Sequence, residues 1–400
     1  MTEQLEKARE LFVEGIQCFE AGRFADAEQK FQASLALVPG RASTLTNLAV
    51  TRIKLSRPEE ALGALEQVLV MEPDSADAWF HRGVALGDLG RHEEALACLD
   101  RALSIKPDHS EIWLRHGQAL HRLERPEHAL ASYDKALALD PTLAQAWSHR
   151  GSILQDFRRL DEAAASFEKA IAHGADTDVN GYFLASAIGH NAPASAPRQY
   201  VELMFDDYAE KFEEHLVGVL NYQAHTVLIE NLGQITGRRF ESALDLGCGT
   251  GLCGPLVKPM AAELDGVDLS SNMLEKARAL GVYERLVHSD ISQYLQSTGR
   301  RYDLVLSADV FIYVGDLDPV FAGVRRVMSQ DGVYCFSAEA TESAAEFELR
   351  PSLRYAHSEG YIRRLAQRHG FDVIEIVHRS IREDQRQPIP GLYAYLMSRR

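Results

Sequence analysis

The chain is poor in the features that would place a protein outside the cell or in a membrane. Its five cysteines, Cys18, Cys98, Cys248, Cys253 and Cys335, are odd in number, scattered and without paired metal-ligand spacing. That excludes a disulfide framework and a zinc motif, and fits reduced thiols. No run approaches the roughly 20 apolar residues of a membrane span, and Met1-Thr2-Glu3-Gln4-Leu5-Glu6-Lys7 lacks the basic and then apolar order of a signal peptide. Positive charge is also short: 42 Lys and Arg stand against 58 Asp and Glu, a net charge of -16 spread over both halves. Nucleic acid is therefore disfavoured as a partner, because its binding draws on neutralised phosphates. A cytoplasmic chain without membrane contact is expected. What is present is ordinary for a globular protein, 46% apolar and 25% charged, and 400 residues exceed the usual size of one core, so two domains are expected.

The first half repeats itself every 34 residues, over 8–41, 42–75, 76–109, 110–143 and 144–177. The fourth position holds Leu11, Leu45, Trp79, Trp113 and Trp147, and the eighth Gly15, Ala49, Gly83, Gly117 and Gly151. The twentieth is always alanine, Ala27, Ala61, Ala95, Ala129 and Ala163, and the twenty-fourth is large and apolar, Phe31, Leu65, Leu99, Tyr133 and Phe167. Pro39, Pro73, Pro107 and Pro141 close four repeats, and Ala175 stands in the fifth. Apolar spacing of three and four residues makes each half-repeat an amphipathic helix, and proline turns the chain into the next pair. One pair cannot bury its apolar face alone, so five stack on a shared core.

This pattern resembles tetratricopeptide repeats, which implies an all-α superhelix with a concave groove that binds a peptide or protein partner. The resemblance puts Phe12, Ile16, Phe19, Thr46, Val50, Lys54, Phe80, Asp88, Gln118, His121 and Arg122 on that groove. The mixture lacks the Lys and Asn pattern with which some relatives clamp a terminal carboxylate. Phe12, Phe19 and Phe80 would equally serve to pack neighbouring helices. Residues 178–198 are expected to form a capping helix over Asn180 to Ile188 and then a linker stiffened by Pro193 and Pro197.

In the second half, the apolar run ending at Asp245 is followed by Leu246-Gly247-Cys248-Gly249-Thr250-Gly251. Leu252 stands where dinucleotide folds place the third glycine of G-x-G-x-x-G. An acidic residue two places before the first glycine repels phosphate and attracts an ammonium group. Asp268 ends a second apolar strand about 20 residues on, where a carboxylate accepts hydrogen bonds from ribose hydroxyls. The pattern reads as the site of an amino-acid-bearing nucleoside without phosphates. Strands are expected at Ser242–Leu246, Glu263–Val267, Arg285–His288, Tyr302–Ser307, Gly332–Ser337, Phe371–Val377 and Leu392–Met397, alternating with helices as in a doubly wound sheet.

Residues 199–400 resemble a class I S-adenosylmethionine-dependent methyltransferase, which implies an α/β Rossmann-like seven-stranded domain. The resemblance places the cofactor against Asp245, Gly247, Cys248, Gly249 and Gly251, its ribose on Asp268 and Leu269, its adenine on Asp290 and Ile291, and Ser307 beside the methyl group. Phe205-Asp206-Asp207-Tyr208-Ala209-Glu210-Lys211-Phe212 resembles the segment that forms a lid in small-molecule members, with Tyr208 offered to the methionine carboxylate. A base is needed only where the acceptor must lose a proton; His357 and Tyr313 are the candidates. The Asn/Asp-Pro-Pro-Tyr/Phe motif of amide and adenine methylation is absent, Ala308-Asp309-Val310-Phe311 standing in its place, and no Pro-Cys pair of cytosine methylation occurs. A small molecule, a carrier-bound acyl group or a protein side chain remains as acceptor. The alternative is a repeat scaffold whose second half binds the cofactor without turnover; nicotinamide-dependent oxidoreduction fails on the glycine spacing.

Overall fold

The computed structural model describes residues 2–210, 222–384 and 387–399, and the chain divides into two compact units, Met1–Ala175 and Asp176–Arg400.

The first unit is a run of helix pairs. The first helices of the pairs span Thr2–Glu20, Ala42–Lys54, Ala76–Asp88, Ser110–Arg122 and Ala144–Asp156. Their partners span Phe24–Leu37, Pro58–Met71, His92–Ile105, Pro126–Leu139 and Leu160–Ala172. Repeats two to five open their first helix at position one of the 34-residue period. The small eighth position exists because the twenty-fourth lies on top of it. A Cβ added to Gly117 would stand 2.6 Å from the Tyr133 ring, and one added to Gly151 2.6 Å from the Phe167 ring. Where the large residue is Leu65, alanine at 49 fits. Trp79, Trp113 and Trp147 each donate their indole N–H over 2.8 Å to the carbonyl of Pro73, Pro107 or Pro141, tying each repeat to the one before it. The turn inside every pair puts its fifteenth residue in the left-handed region, at Gly22, Ser56, Gly90, Glu124 and Arg158. Phe80 is buried, while Phe12 packs on Phe31 and Phe19 on Phe24, each within the array.

The second unit is built on a sheet of β1 (Phe240–Leu246), β2 (Ala261–Asp268), β3 (Arg285–His288), β4 (Tyr302–Ser307), β5 (Met328–Ala340), β6 (Phe347–Leu349), β7 (Tyr355–His357) and β8 (Phe371–His378). After a two-stranded ribbon, β9 (Glu383–Asp384) with β10 (Gln387–Pro388), comes β11 (Gly391–Ser398). The main order is β3-β2-β1-β4-β5-β11-β8, the first five parallel and β11 antiparallel to both its neighbours. These seven are the strands expected from the sequence, most of them longer by one to several residues. The short pair β6 and β7 is additional: β7 joins β5 at Glu339 and Ala340, beyond the point where β4 has ended.

Alternation along β1 shows why both faces are covered. Leu244 and Leu246 join Val320, Phe321, Val324, Ile362 and Leu365 from helices Asp318–Val327 and Glu359–Arg368. Ala243 joins Val227, Leu228 and Leu232 from helix Ala224–Thr236 on the other face. Successive strand residues point to opposite faces, so one run of apolar residues feeds two cores.

The segment expected to be a cap and linker makes hydrogen bonds within the second unit. Helix Thr177–Ile188 falls in the second unit: Tyr182 donates to the Leu353 carbonyl over 2.5 Å and Ser186 to that of Arg350 over 2.6 Å. Residues 193–196 form a strap along the same unit. Pro193 O accepts from the Tyr355 hydroxyl over 2.8 Å, Ala194 O from the amides of Gly315 and Asp316, and Ala196 donates its amide to Tyr313 O over 2.9 Å. Edge backbone groups needed partners, and this segment supplies them.

Candidate functional site

The order of the strands reverses at β1, whose neighbours β2 and β4 lead away in opposite directions, and a crevice opens there at the carboxyl ends. It holds a cavity of about 480 Å³. Asp245, Gly247, Cys248, Gly249, Asp268, Leu269, Asp290, Ile291 and Tyr313 all line it. Three other candidates from the sequence, Gly251, Ser307 and His357, have different positions.

The turn after β1 passes under the cavity in a conformation that glycine permits. Gly247 and Gly249 have φ of +70° and +54°, and a Cβ on Gly247 would meet Val310 at 2.3 Å, whereas one on Gly249 would project into open space. Gly251, with φ +93°, lies outside the cavity lining. Its missing Cβ makes room for Leu280 and Tyr283, so its role is packing. Cys248 is buried, and burial pushes its thiol well above the ordinary range, which leaves it unreactive.

Three carboxylates from neighbouring strand ends face this turn. Asp245 is 1% exposed and accepts the Tyr283 hydroxyl over 2.8 Å; burial pushes its carboxyl up to about 7. Asp268 accepts the amides of Gly249 over 2.8 Å and Ser270 over 2.9 Å, and burial raises its pKa against those bonds. Asp290 caps helix Ile291–Ser297 by accepting the Gln293 amide over 3.0 Å. The cap employs one oxygen and leaves the other without a partner among the described residues. The Thr250 hydroxyl, on the same wall, is buried without a hydrogen-bond partner among the described residues. A cationic nucleoside with hydroxyl donors fits this set: carboxylates with spare lone pairs, an orphaned hydroxyl, and space above Gly249.

Ser307 is fully buried and donates to the Leu246 carbonyl over 3.0 Å, joining β4 to β1 rather than lining the cavity. His357 is also corrected. Its ring is fully buried in β7, away from the cavity lining, with Nε2 donating to the carbonyls of Val314 at 2.9 Å and Gly315 at 3.0 Å. Burial pushes its pKa down to about 4, so it is a neutral brace for a cavity-lining loop. Tyr313 does line the cavity, but burial raises its pKa, which makes it a hydroxyl donor and a poor base. Tyr208 ends helix Arg198–Tyr208, and its side chain lies outside the described residues, as does Phe212.

That helix lays Val201, Met204 and Phe205 along the cavity, three residues that share one helical face. Asp206 accepts the Ser270 hydroxyl over 2.5 Å, and Phe205 meets the Tyr313 ring edge-on at 5.5 Å. The wall also carries residues that no sequence pattern singled out. His225 stacks on Tyr222 with its Nδ1 buried and unpartnered among the described residues, and burial lowers its pKa. Arg382 is 1% exposed, bonds both oxygens of Asp309 at 2.8 Å and also reaches Glu339. Arg354 lines the cavity, and its guanidinium makes no hydrogen bond or salt bridge among the described residues. Arg354 and Arg382 arrive from β7 and β9 neighbourhoods far along the chain, so no local spacing announces them.

Residues 244–336 match a family model described as a methyltransferase domain. Residues 46–110, 84–144 and 114–178 match one described as a tetratricopeptide repeat. The chain resembles a malonyl-[acyl-carrier protein] O-methyltransferase of Pseudescherichia vulneris, 29% identical over 37% of this chain and 57% of the relative. It also resembles one of that name from Legionella pneumophila, 31% identical over 40% and 57%. Methyltransferase-like protein 27 of Homo sapiens is 35% identical over 29% and 48%. The chain thus spans under two thirds of the length of these curated relatives. Among solved structures, a thermophilic tetratricopeptide protein of Thermus thermophilus is 26% identical over 45% of this chain and 98% of its own, with a TM-score of 0.39.

Proposed function

We propose that the chain, whose two halves match models of a tetratricopeptide repeat and of a methyltransferase domain, is a working S-adenosylmethionine-dependent enzyme which methylates an oxygen of a carboxylic acid borne on a carrier, the repeats recruiting the carrier. The observation behind this reading is the row of Asp245, Asp268 and Asp290 at three adjacent strand ends, facing a turn whose Gly249 has open space above it. Asp245 pairs with the ammonium of the methionine part, Asp268 and Leu269 with the ribose, and Asp290 and Ile291 with the adenine. The cofactor, when bound, supplies an activated methyl on a sulfonium. The protein's share is to hold an acceptor lone pair in line and exclude water.

The acceptor class follows from the names of the relatives and from the wall of the cavity. The carboxyl of Asp309 is committed to Arg382, Tyr313 is held protonated, and His357 is out of reach. An acceptor that is already an anion at neutral pH asks nothing of these groups. Recruitment by the repeats would act through local concentration, as linked binding modules do.

Calorimetry with S-adenosylhomocysteine is the direct test. Wild-type protein is expected to bind it, and Asp268→Ala to lose most of that affinity, with a lowered melting temperature because the Gly249 and Ser270 amides lose their acceptor. Incubation with isotopically labelled donor and a cell extract is then expected to label an acyl carrier. A protein that binds neither nucleoside at millimolar concentration ends the methyltransferase reading.

A further inference from the structure

The polarity of the cavity is uneven. The carboxylates of Asp245, Asp268 and Asp290 lie at the ends of β1, β2 and β3, on one side of the crevice. On the other side, at β4 and β7, Asp309 is neutralised by Arg382, which is itself divided between Asp309 and Glu339. Arg350, close by in sequence, is spent on Glu339, Glu348 and the Ala340 carbonyl. Arg354 makes no hydrogen bond or salt bridge among the described residues, although its charge acts on Glu339 through space. It offers a planar fork of donors on a cavity wall, the arrangement that suits a carboxylate held by two parallel bonds.

The turn that presents Arg354 is built with some strain. Leu353 has a φ of +60°, uncommon for a bulky residue. It is held there from both sides: its amide donates to Arg350 O over 2.9 Å, and its carbonyl accepts the Tyr182 hydroxyl. Arg354 O accepts the Arg350 amide over 2.9 Å, and Tyr355 is pinned by its bond to Pro193. Strain persists only where the surroundings over-determine it. Here the surroundings are helix Thr177–Ile188 and the strap, whose Ser195 and Ala196 line the same cavity.

Resting on the methyl-transfer reading, we propose that Arg354 binds the carboxylate of the acceptor and is the residue that selects an anionic one. One carboxylate oxygen stays on the guanidinium while the other gives its electron pair to the methyl carbon. The carbon–sulfur bond breaks with its pair on sulfur, a neutral ester and a neutral thioether result, and no proton is released. Methylation removes the charge that Arg354 holds, so the product is bound more weakly than the acid.

Malonyl-, succinyl- and glutaryl-N-acetylcysteamine thioesters, with the methyl ester of each, serve as probes, titrated into full-length protein saturated with S-adenosylhomocysteine. Wild type is expected to bind at least one acid more tightly than its ester. Arg354→Gln is expected to lose about tenfold to a hundredfold of the acid affinity, as for a charge-assisted bond, to bind the ester as wild type does, and to keep its nucleoside affinity. Arg354→Lys should recover part of the loss. Acid binding unchanged in Arg354→Gln overturns the proposal, as does a wild type that binds the nucleoside but none of the acids. So does turnover that follows an imidazole titration, vanishes in His225→Gln and survives in Arg354→Gln. Failure to bind the nucleoside at all strikes the methyl-transfer reading instead.

Discussion

Asp245 is deeply buried with one hydroxyl partner, and burial pushes its carboxyl up to about 7. Below that pH it takes up a proton and loses the charge that would hold an ammonium group. Affinity for S-adenosylhomocysteine is therefore expected to weaken as pH falls from about 8 to about 6, by at most about tenfold per unit below the pKa. Asp245→Asn should bind more weakly and nearly independently of pH. A wild-type affinity that is flat over this range would count against the pairing. His357 shows the opposite kind of burial. Its folded pKa of about 4 lies below the 6.5 of an ordinary imidazole, and His149 is shifted the same way to about 4, both because burial disfavours the charged ring. The unfolded chain thus takes up protons first, so stability is full above about pH 6.5 and falls as pH drops toward about 4. Each ring costs on the order of 3 kcal/mol of stability once the pH has fallen below about 4, relative to neutral pH. Urea unfolding at several pH values should show His357→Asn less stable at neutral pH, with a shallower loss in acid. The place of Asp245 on the cavity was legible from its position before the glycines, whereas the burial that disarms His357 was not, because an isolated histidine looks alike in sequence whether it faces a cavity or a carbonyl.

At the scale of elements, the 34-residue period fixed which faces meet. Gly151→Ala pushes a methyl into the Phe167 ring, and overpacking of this kind costs about 1–3 kcal/mol. Gly63→Ala, in helix Pro58–Met71 with nothing within 4 Å, should instead stabilise by about 0.5–1 kcal/mol through helix propensity. Thermal or chemical unfolding of the two variants checks the contrast, and equal effects would contradict the close packing of eighth and twenty-fourth positions. Strand positions were likewise readable, since apolar runs between turn signals need little context. The strap was not. Residues 189–197 have the composition of a linker, and the backbone groups of residues 313–316 with the Tyr355 hydroxyl, far along the chain, give them a fixed path.

For the whole molecule, the place of the division matters in practice. A fragment of residues 199–400, cut where the linker composition suggests, lacks Tyr182, Ser186, Pro193 and Ala194, all bonded within the second unit. It is expected to melt at a markedly lower temperature than a fragment of residues 176–400, or to be insoluble. Comparable melting of the two fragments would show that the strap adds little. Among the described residues no helix is long and apolar enough to cross a membrane.

By itself the sequence determined the repeat array, the alternating sheet and the cofactor turn, because each rests on spacing within a few residues or on a strict period. Helical packing, strand alternation and the left-handed glycines of the turn are local constraints, and local constraints leave local patterns. Tertiary structure alone decided the wall opposite the turn. Arg354 enters from a strained bend braced by Tyr182, Arg382 neutralises Asp309 from 73 residues away, and His357 turns inward to hold Val314 and Gly315. Whether a charged side chain is spent on a neighbour or left free depends on which distant strands the sheet brings side by side, and no spacing in the chain records that.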